Sequence, residues 1–344
     1  MLSLRSTVYL ICKKISFYSP YNIRLSSAPA MQCQGDTSPK IIIDNDAGGD
    51  DAMAIFLALL YEKHFNGSKL IGLTTGNGNT NEDNVCRNNQ RILKVAKRQD
   101  VPIYRGSKES MVITPAAGNY YGKDGLGDSG EVLSGLVEPK ELDAVSALIE
   151  LSKTHEGQLT VITLGALTNV AMALKLDPNF LNRLSQLYIG AGHIHDEEIP
   201  NPEFNAQMDV EAYHVVAQHA TPDKVTVFPF SQTMRYLNFS LEWREQVLGA
   251  INTDIIKAQN LYEKVSLKRG DRWQALDPAT VAIALKPELV DEYKYSKNDI
   301  TLCGSKRGIN TNEFVDKKDA NVRIAYSVKT EEYRQFLLEL FALE

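Results

Sequence analysis

Residues 41–60 read Ile-Ile-Ile-Asp-Asn-Asp-Ala-Gly-Gly-Asp-Asp-Ala-Met-Ala-Ile-Phe-Leu-Ala-Leu-Leu. The β-branched run Ile41 to Ile43 predicts a buried strand, and an apolar helix starts at once after the acids. Between them lie four carboxylates within eight residues: Asp44, Asp46, Asp50 and Asp51. Acids this close beside a hydrophobic core repel one another and resist desolvation. A hard cation removes that conflict, because Ca²⁺ and Mg²⁺ prefer oxygen ligands. Gly48 and Gly49 are expected to let the backbone turn sharply. Asp50 and Asp51 fall where a helix N-terminus favours negative charge. Helix capping alone needs one or two carboxylates, not four. An EF-hand loop fits Asp44, Asp46 and Gly49 at its first, third and sixth positions. It fails at the twelfth, where Ile55 stands in place of a bidentate Glu. A phosphatase using Asp44 as nucleophile in an Asp-x-Asp pair leaves Asp50 and Asp51 without a task.

The chain has 344 residues, room for a sizeable core. Its 43% hydrophobic and 23% charged content are those of a globular protein. The net charge of −6, with no basic block beyond the N-terminus, gives no reason to expect nucleic-acid binding. No apolar stretch is long enough for a membrane span. Cys12, Cys33, Cys86 and Cys303 form no Cys-x-x-Cys pair, which argues against a disulfide framework or a zinc site. His193 and His195 lie two apart without a third ligand at a recognisable spacing, so a loop facing a pocket is the better reading. Residues 1–38 are set apart as a targeting segment or a disordered tail. They carry Arg5, Lys13, Lys14 and Arg24, and no acid before Asp36. That composition fits a mitochondrial transit peptide, with a cytoplasmic tail as the alternative. A secretory signal is disfavoured, since the apolar run Val8 to Cys12 is short.

Ordered structure is expected over 39–344 as a single α/β domain with a mostly parallel sheet and helices on both faces. Strands are expected at 41–44, 69–74, 102–104, 159–164, 185–190, 224–228 and 321–327. Helices are expected at 51–64, 82–97, 143–155, 168–175, 209–219, 240–268, 278–286 and from Glu331. In open α/β sheets ligands bind beyond the carboxyl ends of the strands. There lie the acidic cluster, Thr75-Gly-Asn-Gly-Asn79, Leu164-Gly-Ala-Leu-Thr-Asn169, Gly190-Ala-Gly-His-Ile-His195 and Asn201-Pro-Glu-Phe-Asn205.

These clusters, in this order, resemble the inosine–uridine-preferring nucleoside hydrolase family. Its opening pattern, Asp-x-Asp-Pro-Gly-x-Asp-Asp, stands here as Asp44-Asn-Asp46-Ala-Gly-Gly-Asp50-Asp51, with Ala47 in place of proline. The resemblance runs on through Thr74-Thr-Gly-Asn-Gly-Asn79, Gly165-Ala-Leu-Thr-Asn169, Glu203-Phe-Asn205 and Asp277-Pro, covering most of 39–285. It implies a Rossmann-like fold and hydrolysis of ribonucleosides to ribose and free base. It implies one Ca²⁺ held by Asp46, Asp51, the main-chain carbonyl of Leu164 and Asp277. Asp46 would be the catalytic base, and Asp50, Asn79, Glu203 and Asn205 would hold the sugar. Asn201 is a weak match for a further sugar-binding asparagine. Relatives are homodimers or homotetramers, so a homo-oligomer is expected by resemblance.

One departure matters. Many members place a His directly before the last metal Asp, where it protonates the leaving base; here that position is Leu276. Purine-preferring relatives instead stack the base on aromatic rings, and Tyr120, Tyr121 and Trp273 are candidates. A purine preference is expected on that ground. The loop 118–127 is a candidate lid. Two other readings remain: a Mg²⁺-dependent phosphatase with an Asp nucleophile, and a nucleoside- or ribose-binding protein without catalysis.

Overall fold

The computed structural model describes residues 38–130 and 133–344, so the expectations for the N-terminal segment lie outside the described residues. Ser38–Glu344 is one compact unit. Its strands are β1 (Lys40–Asn45), β2 (Lys69–Thr75), β3 (Ile103–Tyr104), β4 (Leu159–Thr163), β5 (Gln186–Gly190), β6 (Val225–Phe228), β7 (Phe239–Ser240), β8 (Arg272–Trp273), β9 (Val290–Ile300), β10 (Asn310–Phe314) and β11 (Val322–Val328). Nine of them form one sheet in the order β10-β9-β11-β6-β5-β4-β1-β2-β3, while β7 and β8 pair separately.

β1 lies inside the sheet between β4 and β2 and is buried at every position. Ile41 and Ile43 belong to the core on one face, and Ile42 to the core on the other. That is why three consecutive isoleucines suit a parallel strand covered on both sides. β1 pairs in parallel with β2 on one side and β4 on the other. The chain order therefore reverses between β1 and β4, and the crevice beyond their carboxyl ends is where such sheets bind ligands. The helix Gly49–Phe65 leaves β1 there and is buried from Gly49 to Leu60. Its mixed apolar surface is explained by packing on the sheet and on helices Asp254–Tyr262, Leu276–Leu285 and Thr330–Phe341.

Two features differ most from the sequence reading. The expected long helix over 240–268 is broken. Leu241–Trp243 passes into a wide turn at Arg244–Leu248, and a new helix starts at Asp254, capped by the Thr253 side chain on the Ile256 amide. Gly249 sits at the break, where an added Cβ would lie 2.7 Å from the Glu245 carbonyl oxygen. The second difference is β9 and β10, which the sequence reading missed. Both are antiparallel, and β10 forms the sheet edge. Their charged, half-exposed residues carry little of the apolar signal that marks a central parallel strand.

Candidate active site

The turn between β1 and the first helix is built differently from the expectation. Gly48 has φ −79°, and the left-handed residue is Ala47 at φ +38°. A residue with a Cβ is strained there by about 1 kcal/mol. A proline, fixed near φ −65°, could not adopt this backbone. The glycines are needed for space instead. A Cβ on Gly48 would lie 2.5 Å from Asn79 Nδ2, and one on Gly49 would lie 2.7 Å from Tyr121 Cδ1.

Four carboxylates converge at this turn, all essentially removed from solvent: Asp46, Asp50, Asp51 and Asp277. Oxygens of Asp50, Asp51 and Asp277 lie within 4.8 Å of one another. Asp46 lies beside them, and its charge acts on all three. Asp277 comes from the first turn of Leu276–Leu285, so residues more than two hundred positions apart share one site. Burial, reinforced by mutual repulsion, raises Asp51 and Asp277 well above the carboxylate range. It raises Asp50 to about 7, although the Tyr121 hydroxyl counteracts part of the rise. Burial likewise raises Asp46 to about 6, against hydrogen bonds from Asn79.

The residues fit a hard cation. Every donor is oxygen, and Asp50 Oδ1 is buried without a hydrogen-bond partner. Asp51 and Asp277 meet Asp50 in one cluster, and Leu164 lines the cavity together with Asp50 and Asp277. Asp44 is not part of it. Thr74 Oγ1 at 2.5 Å and Asn169 Nδ2 at 2.8 Å both donate to its Oδ1, tying β1 to β2 and to the segment after β4. Burial raises Asp44 to about 6 even so.

The other candidates surround a cavity of about 580 Å³ above the acids. Asn79 donates from its backbone N to Asp46 Oδ2 at 2.8 Å and from Nδ2 to Asp46 Oδ1 at 2.9 Å. It thus fixes the proposed base as well as facing the cavity. Asn205 Nδ2 donates to the Leu164 and Gly190 carbonyls at 2.8 and 2.9 Å, which leaves its Oδ1 to accept from a ligand. Glu203 caps the helix Phe204–Met208, and its Oε2 also accepts from Gly192 N at 2.8 Å. It therefore braces the β5 loop and the Asn205 turn together. Asn201 is exposed and is not among the cavity residues.

Gly78 shows how tightly Asp46 is held. A Cβ there would lie 1.8 Å from Asp46 Oδ2. Gly78→Ala should therefore displace the carboxylate and lower kcat at least about tenfold, and lower the melting temperature as well, because the buried carboxylate loses its fit to Asn79. A kinetic assay paired with thermal melting checks this. Wild-type kcat would show that the Asp46 position is not critical.

The two histidines separate. His195 Nδ1 donates to the Ile199 carbonyl at 2.8 Å, and its Nε2 accepts from Asn310 N at 3.2 Å. Both ring nitrogens serve to fix the loop, and His195 is not a cavity residue. His193 faces the cavity, held through its backbone by Asn310 and Asn312 of β10. Burial and the neighbouring His195 push its ring down to about 4, so it is neutral near pH 7. Trp273, a candidate stacker, is a packing residue. It packs against Phe239 and Trp243, and its Nε1 donates to Glu263 Oε1 at 2.8 Å. Tyr121 is buried against Gly48 and Gly49, while Tyr120 stands exposed on the cavity wall. The candidate lid is anchored in its second half, where Leu126 is fully buried and Gly127 N donates to the Tyr121 carbonyl at 2.7 Å. Phe204, Phe230 and Arg269 also reach the cavity, and sequence reasoning gave them no role. Phe204 lies inside the Glu203–Asn205 motif, so its neighbours were the available signal. Arg269 carried none.

The model of a family described as inosine-uridine preferring nucleoside hydrolase matches residues 41–335. The chain belongs to that family. It is an enzyme of the nucleoside hydrolase class, whose reaction is cleavage of the N-glycosidic bond. An inosine-uridine preferring nucleoside hydrolase of Leishmania major is 29% identical over 313 residues, spanning 89% of this chain and 97% of that protein. A probable uridine nucleosidase 2 of Arabidopsis thaliana is 37% identical over 182 residues, spanning 52% of this chain and only 55% of that relative. Among solved structures, a plant nucleoside hydrolase, the PpNRh1 enzyme, superposes with a TM-score of 0.77 at 27% identity. That match covers 88% of this chain and 99% of that one.

Proposed function

We propose that this nucleoside hydrolase is Ca²⁺-dependent and prefers purine ribonucleosides as substrates. The observation that carries this reading is the polarity of the cavity: Asp50 and Asp277 on one side and the aromatic residues Tyr120, Phe204 and Phe230 on its walls, with Leu276 where the resemblance would place an acid. Asp50, Asp51, Asp277 and the Leu164 carbonyl, with Asp46 adjoining, would hold the ion. When bound, Ca²⁺ makes a coordinated water more acidic and orients it.

The chain's own residues supply the rest. Asp46 accepts the proton of the water that attacks C1′. Asn79 fixes both Asp46 oxygens, so the base needs no reorganisation during attack. Asn205 Oδ1 and Asp50 accept from ribose hydroxyls. Their negative potential stabilises the positive charge that develops on the sugar in an oxocarbenium-like transition state. Phe204 and Tyr120 offer faces on which a flat base can stack, and a purine gains more contact than a pyrimidine. A homo-oligomeric state belongs to the same reading, by resemblance to the family.

A reducing-sugar assay with inosine, adenosine, uridine and cytidine, with and without chelator, tests the proposal. Purine nucleosides should show the higher kcat/KM, and chelation should abolish turnover. A preference for uridine would overturn the purine part alone. Phosphate release from a sugar phosphate without nucleoside cleavage would favour the phosphatase reading.

A further inference from the structure

Heterolysis of a nucleoside builds positive charge on the ribose and negative charge on the departing base. The cavity is acidic at its floor, which suits the ribose and repels the base. Leu276 can neither protonate the base nor stabilise its charge. The cavity wall does carry one cation among the described residues, Arg269. Its Nη1 donates to Asn119 Oδ1 at 2.9 Å, and its guanidinium lies 5.8 Å from the centre of the Tyr120 ring. Both partners are uncharged, so the full charge remains available to a ligand. Both also belong to the wall that faces the cavity, so the guanidinium is held at its mouth.

We propose that Arg269 is the residue that binds the departing base and stabilises its negative charge, in place of a proton donor. The inference rests on the nucleoside hydrolase reading. Guanidinium presents a planar fork of donors, suited to the ring-nitrogen and carbonyl acceptors of a base. In the step, the C1′–N bond breaks and its electron pair passes to the base nitrogen. Water oxygen bonds to C1′, and the water proton goes to Asp46. The base leaves as an anion against Arg269 and takes its proton from solvent. Arginine does not lose its proton in this pH range, so this assistance needs no titrating acid. The cation at one end and the acids at the other match the charge separation of the transition state better than the neutral ground state.

The test compares leaving groups of different need. Inosine requires help with its base; 4-nitrophenyl β-D-ribofuranoside releases a phenolate that is stable by itself. Both are measured with the full chain in saturating Ca²⁺, for wild type, Arg269→Ala and Arg269→Lys. Arg269→Ala should lower kcat/KM for inosine at least about tenfold, below the scale of a donor in a water-excluded site because Arg269 is exposed. The loss on the nitrophenyl riboside should be at least about tenfold smaller, and Arg269→Lys should recover part of the inosine activity. Equal losses on both substrates would mean that Arg269 only shapes the mouth, and would overturn the proposal. So would undiminished inosine cleavage in Arg269→Ala. A wild type that cleaves neither substrate would instead defeat the nucleoside hydrolase reading beneath it.

Discussion

Asp46→Asn should lower kcat at least about a hundredfold, the usual scale for loss of a general base. The amide keeps the shape of the side chain but cannot take a proton from water. It also cannot accept the two hydrogen bonds from Asn79 as a carboxylate does, because one of its ends is a donor. KM should change less than kcat, since Asp50, Asn205 and the cavity walls remain. Steady-state kinetics at saturating calcium is the measurement. A variant that retains near-wild-type kcat would show that water is activated elsewhere. Asp44→Ala is the informative control: it removes the oxygen that accepts from Thr74 and Asn169, so its effect should appear mainly in thermal stability.

Removal of the metal should abolish turnover and lower the melting temperature, because an ion bound only by the folded state stabilises it. The effect should depend on pH in a defined direction. Burial raises Asp44 and Asp46 to about 6 and Asp50 to about 7, from an ordinary 3.8. In the metal-free protein these groups hold their protons to higher pH when folded than when unfolded. Their protonation favours the fold below pH about 4, and that advantage is lost as pH rises through 6 to 7. The metal-free melting temperature should therefore fall between about pH 4 and pH 7, and added Ca²⁺ should flatten the slope. Calorimetry across that range, with and without chelator, measures both. Full activity in a preparation shown by elemental analysis to be free of metal would falsify the site.

Much of this protein is legible in its sequence for a local reason. Asp46, Asp50 and Asp51 follow one strand and open one helix, so their spacing alone forces them into one place. The alternation of strand and helix through β6 gives the parallel sheet, because each crossover returns the chain to the same sheet end. The lost acid at Leu276 is likewise visible without coordinates.

What the tertiary structure decided are the features that depend on direction and on distant partners. It turned Asp44 away toward Asn169 and brought Asp277 to Asp50 and Asp51. It put the strain on Ala47 rather than on the glycines, whose task is to admit Tyr121 and Asn79. It broke the helix at 240–268, buried Trp273 beside Glu263 and left Arg269 at the cavity mouth. Periodicity reports how much of a segment is buried, but not which neighbour covers it. A side chain's role is fixed by what the packed segments place opposite it, and for Arg269 that is Asn119 and Tyr120, some 150 residues earlier in the chain.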